Sequence, residues 1–206
     1  MADTMMQLAV GRRAAQALGI PVSGAFLLGL IAPDSVRIRP GATRQDYEQT
    51  HALEPDWAAA WKAGLTLIEE EKEDAYLLGC AFHILTDSLW VTYRTQVAEG
   101  MDPEISEEDR RRMFREETEA LERVLYLQED GHTLFNAILA TPLRDDRGYL
   151  GLNTMEVDSW RRRCNNVLKN MRHDQPLKIL TAAAVETFLT RASSRICREY
   201  QRLSLS

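Results

Sequence analysis

Apolar residues recur along this chain at three- and four-residue intervals, the period of a helix, and no segment alternates strictly as a strand would. Leu8, Ala15 and Leu18 place a helix over residues 4–18, broken by Gly19-Ile20-Pro21. Ser23 is positioned to cap a short apolar helix ending at Pro33. Residues 34–54, punctuated by Pro40-Gly41, read as a long loop, and a loop of that length inside a domain is often functional. Pro55-Asp56 opens a helix to about residue 71 with Trp57, Trp61, Leu65 and Ile68 as its stripe. A longer helix over 73–98 is apolar almost all round, which predicts a central, buried position. Gly100 and Pro103 end it, and Ser106-Glu107-Glu108-Asp109 resembles the capped start of a helix over 107–128. Asp130-Gly131 turns the chain into a short helix at 132–140, and 141–153 is a second loop. Helices at 155–172 and 176–202 complete the pattern, Pro176 falling in a first turn. Leu177, Leu180, Ala184, Phe188, Ala192 and Ile196 form a packing stripe, either within the core or against a second subunit as a homodimer contact.

The class is therefore all-α. A length of 206 residues suits one helical domain over 1–206, with a first half of about 1–100 and a C-terminal half of about 101–206. A net charge of -6 disfavours a nucleic-acid partner, whose phosphates select a basic surface. The three cysteines, Cys80, Cys164 and Cys197, are far apart and form no CxxC, so a reducing, cytoplasmic setting is expected. The N-terminal segment lacks the pattern of a secretory signal. The longest apolar run, AFLLGLIA, is too short to span a bilayer.

The chemistry concentrates in the central helix. GCAFHILTDSLW, residues 79–90, carries His83 and Asp87 one turn apart, with Cys80 on the same face. A carboxylate among so many apolar residues needs a partner. The pair reads either as a hydrogen-bonded polar couple or as half of a metal grip, and Cys80 reads as a small buried hydrophobe. Upstream, GLIAPD delivers Asp34 where an apolar helix ends, and His51 follows the long loop. Imidazole with carboxylate suits zinc or a similar divalent ion, although Asp34 could equally cap a helix and His51 could lie on the surface.

FLLGLIAPDS, the histidine that follows it, and AYLLGCAFHILTDSLW resemble the zinc-dependent phospholipase C family, particularly its short bacterial members. The resemblance is strongest over about residues 5–95. It implies a multi-helix bundle of the phospholipase C/nuclease type, with Asp34, His51, His83 and Asp87 around one metal ion, expected to be Zn2+, and Asp34 as general base. Two departures matter. Gln7 stands where the family places a first-helix histidine, and SLWVTYRTQVAEG after Asp87 contains no histidine. The resemblance as it stands here therefore implies one metal site rather than several. Glu119 and Glu122 read as helix-surface charge.

The functional expectation is a metal-dependent hydrolase of a small phosphate ester, with Arg37, Arg39 and Arg44 available to the phosphate oxygens. A cytoplasmic setting argues against bulk membrane phospholipid as the substrate. The alternative is a catalytically decayed, metal-stabilised helical protein with a structural or partner-binding role, which Gln7 favours. The runs Arg110-Arg111-Arg112 and Arg161-Arg162-Arg163 lie beside acids and read as solvated, salt-bridged faces. His132 sits at a helix start. His173-Asp174 suggests an HD-type hydrolase, but no aspartate follows to complete that ligand set.

Overall fold

The computed structural model describes residues 3–52, 56–143, 150–171 and 177–205. Among these residues every regular element is a helix. The α-helices are α1 (Thr4–Leu18), α2 (Gly24–Gly29), α3 (Arg44–His51), α4 (Trp57–Glu71), α5 (Ala75–Glu99), α6 (Glu107–Gln128), α7 (Gly131–Ala140), α8 (Thr154–Asn170) and α9 (Ala182–Ser204). A 3-10 helix spans Ala32–Ile38 between α2 and α3.

Most starts are set by a side chain that accepts otherwise unpaired amide protons. Ser23 takes Phe26 N at 3.2 Å, Asp56 takes Ala58 N and Ala59 N at 2.9 Å, and Ser106 takes Asp109 N at 3.1 Å. Among the α-helices the exception is α1, whose Asp3 makes no cap. Glu122 of α6 does the work instead. Its carboxyl oxygens accept from Met5 N at 2.8 and 2.9 Å and from Met6 N at 3.2 Å. Glu122 is thus buried rather than the surface charge expected, because the amides of a helix start need an acceptor.

α5 is the central element. Every residue from Tyr76 to Ser88 is buried, with α2 on one side and α4 on another. Two glycines let α2 and α5 touch backbone to backbone. A Cβ on Gly29 would stand 2.1 Å from Tyr76 O, and one on Gly79 would stand 2.3 Å from Phe26 O. The core runs from Met5 to Ile196, and α9 packs along α1.

The expected loop over 34–54 is largely helical. Thr43 accepts from Asp46 N at 3.3 Å while Asp46 accepts from Thr43 N at 2.7 Å, a reciprocal cap that starts α3. The last helix starts at Ala182 and not near 176. Glu117 binds the amides of Lys178, Ile179 and Leu180 at 2.9, 2.7 and 2.8 Å, so these residues turn around a carboxylate, and Thr181 caps the helix that follows. Phe188, Ala192 and Ile196 of the expected stripe are buried in this molecule's own core. Arg161 is buried too. Its guanidinium donates to Ile138 O at 2.9 Å and Thr141 O at 2.7 Å, satisfying the C-terminal carbonyls of α7, so it is not part of a solvated face. Arg111 and Arg112 do pair with Glu107 and Asp109 on the surface. Pro55, His173, Asp174 and Pro176, and part of the 141–153 loop, lie outside the described residues. No described helix is long and apolar enough to cross a membrane.

Candidate metal centre

Four polar side chains meet beneath the α2–α5 contact. The 3-10 helix supplies Asp34, the last turn of α3 supplies His51, and α5 supplies His83 and Asp87. Asp34 is 1 % exposed and the other three are 0 % exposed, so whatever satisfies them must come from within. His51 Nε2 lies 3.4 Å from Asp34 Oδ1 and 3.7 Å from Asp87 Oδ2, and His83 Nε2 lies 3.7 Å from Asp87 Oδ2. Ligand atoms of Asp34, His51 and His83 fall within 4.8 Å of one another, and such a buried group could hold a metal ion.

Backbone contacts decide which imidazole nitrogen carries the proton. His83 Nδ1 is 2.8 Å from Leu30 O, and a carbonyl can only accept, so Nδ1 donates. Burial also holds His83 below the usual histidine range, against the opposing pull of Asp34, and leaves the ring neutral. His51 Nδ1 is 3.2 Å from Tyr47 O and 2.9 Å from the Thr50 hydroxyl, which itself donates to Tyr47 O at 3.2 Å. Here too Nδ1 is the donor. Both Nε2 atoms therefore turn lone pairs towards the carboxylates, and neither has a hydrogen-bond partner. Acceptors facing acceptors in a dry site repel unless a cation lies between them. Ligands about 2.0–2.1 Å from a tetrahedral zinc lie roughly 3.3 Å apart. The His51–Asp34 separation of 3.4 Å is close to that edge, and the whole triad falls within 4.8 Å.

One cation of the chain already borders the cluster. Arg37 Nε is 2.8 Å from Asp34 Oδ1, at an angle outside hydrogen-bond geometry, and its Nη1 is 3.6 Å from Asp3. The guanidinium sits 5.8 Å over the Trp160 ring and is 27 % exposed, which makes it the boundary between Asp34 and solvent. Burial opposes ionisation of Asp34, but the Arg37 guanidinium beside it outweighs burial and holds this carboxyl well below the usual range.

Gln7 comes from α1 to the same place. It is 0 % exposed, and its Nε2 donates to Asp87 Oδ1 at 2.8 Å. The amide therefore orients Asp87. Of the three loop arginines, the structure brings Arg37 alone against Asp34. Arg39 is taken up by Glu156 at 2.9 Å, Asp46 at 2.5 Å and Gly151 O at 2.9 Å, and it pins the 3-10 helix to α3 and α8. Arg44 is 89 % exposed and pairs with Glu48. His132 is exposed at the start of α7. Sequence reasoning missed Thr50 and the Leu30 carbonyl, which fix the histidine tautomers, and only the adjacency of Thr50 to His51 signalled either.

No family model, no curated protein and no solved structure matches this chain.

Proposed function

We propose that this protein is a divalent-metal-dependent hydrolase of a small phosphate ester, with a single ion held by Asp34, His51 and His83 and with Asp87 alongside. The observation that supports it is the pair of buried Nε2 lone pairs converging with Asp34, each fixed from behind by a hydrogen bond on Nδ1. A divalent ion there, zinc by the chemistry of the donor set, would polarise a phosphoryl oxygen and acidify a water. Arg37 would hold the non-bridging oxygens, since it is the half-buried cation at the solvent edge of the cluster. Asp34 would accept the proton of the attacking water. A carboxylate held so acidic is a poor base while Arg37 stays on it. Transfer of the guanidinium to the phosphate would release it.

A second reading has one observation in its favour. All four side chains are nearly or fully inaccessible, and Gln7 closes the Asp87 side, as in a site that serves stability alone.

Elemental analysis of wild type beside His83→Ala, with turnover of phosphomonoester and phosphodiester panels, separates these readings. About one equivalent of divalent metal in wild type, lost in the variant, together with metal-dependent turnover, is the expected result. Wild type purified without stoichiometric metal would remove both readings. Metal without turnover would leave the stabilising role.

A further inference from the structure

A second concave site shares the helix α5 with the metal cluster but none of its residues. The groove between the second half of α5 and the middle of α9 has a volume of about 520 Å³, within the range of small-molecule sites. Arg191, Arg195 and Arg198 fall on its α9 wall, at the three- and four-residue spacing that puts them on one face. Among the described residues its lining contains no carboxylate. On a chain of net charge -6, that is a local reversal of sign.

The acids nearby in sequence are already engaged. Glu186 pairs with Arg13 at 2.6 Å, and Glu199 sits between Arg195 at 2.8 Å and Arg202 at 3.0 Å. Arg195 also lies 5.5 Å over the Trp61 ring, which holds it in place. Arg191 and Arg198 are exposed and have no ion pair or side-chain hydrogen bond among the described residues. Seven residues of helix separate them by roughly 10 Å along the axis. That spacing lets the two guanidinium groups grip separate points of a chain of phosphates. The α5 wall offers a flat ring. Tyr93 is half-buried, stacked on Trp90 at 5.5 Å and packed against Phe188 at 5.0 Å, so its orientation is fixed in advance. Gln96, one turn on, carries both a donor and an acceptor for the edge of a base.

We propose that this groove binds a nucleoside polyphosphate, its phosphates on Arg191 and Arg198 and its base against Tyr93. Arginine is suited to phosphate by its planar fork of donors, and a base stacks on any fixed aromatic face. The proposal is independent of the hydrolase reading.

Calorimetric titration of the full chain as purified, with no divalent ion added to the buffer, with ATP and with inorganic tripolyphosphate tests it. ATP is expected to bind saturably. Arg191→Glu with Arg198→Glu should weaken it at least tenfold, and Tyr93→Leu should weaken ATP but not tripolyphosphate. Arg163→Glu with Lys169→Glu, an equal charge change on exposed positions of α8, should leave ATP binding unchanged. Absence of saturable ATP binding at millimolar concentration would overturn the proposal. So would an equal loss in the α8 control. Tripolyphosphate binding as tightly as ATP, with Tyr93→Leu silent, would overturn the nucleoside assignment. The arginine pair is solvent-exposed, so the charge-reversal arm does not depend on a perturbed core.

Discussion

A hydroxyl and two carbonyls decide which nitrogen of each histidine faces Asp34, and those groups are open to test. Thr50→Val keeps the shape of the side chain and removes the acceptor 2.9 Å from His51 Nδ1. Metal affinity should fall about 10- to 100-fold, as for other partners behind a metal ligand, with little change in fold content by circular dichroism. Glu122 gives a pH prediction. Burial raises this carboxyl well above its ordinary value of 4.5, so the folded state keeps a proton that the unfolded state has lost. Stability should therefore decline as pH rises from about 4.5, relative to Glu122→Gln, in urea titrations at successive pH values. An unchanged difference between the two proteins across that range would refute it. At this scale the sequence was partly legible. Asp34, His83 and Asp87 stand out because each is polar within or just after an apolar stretch, whereas His51 ends a polar one and is marked only as the histidine that follows Asp34. Glu122 and Arg161 sit among many charged neighbours at helical spacing, and nothing local marks them as the ones that meet backbone. The place of Gln7 could be read through a family resemblance, but its bond to Asp87 is a tertiary fact.

The helices were more legible than their junctions. α5 was readable from its unbroken apolar content, whereas α3 has eight residues and no apolar stripe, so its reciprocal cap was its main signal. The Glu117 turn was hidden because its partners are backbone amides sixty-odd positions away. The contact of Gly29 with Gly79 does more than save space. It carries the Leu30 carbonyl onto His83, one turn along α5 from Gly79. Gly79→Ala should cost about 1–3 kcal/mol by overpacking. It should also reduce bound metal, read from denaturation midpoints and metal stoichiometry together. Loss of stability with full metal content would break the link between this crossing and the site. At the end of α3, Ala52 adopts a left-handed backbone with φ of 52°. Ala52→Gly should therefore raise stability by about 1 kcal/mol, measured by thermal unfolding, because glycine takes that conformation without strain.

For the whole molecule, an ion bound by the native state alone adds stability by mass action, about 2.7 kcal/mol when free metal is a hundredfold above its Kd. EDTA should then lower Tm by several degrees, and added zinc should restore it. A Tm indifferent to both would count against the centre. The all-α class was legible from periodicity throughout.

α1, which brings Gln7 to Asp87, lies along α9, with Arg13 on Glu186 and Cys197 Sγ 3.5 Å from Ala14 O. The earliest described helix thus completes its packing against the latest. During synthesis α1 can meet α5 and α6 first, and the strip of its apolar face that α9 covers stays open until that helix emerges. Asp34, His51, His83 and Asp87 all emerge earlier, by residue 87, so the part of the candidate centre that would settle last is the hold of Gln7 on Asp87.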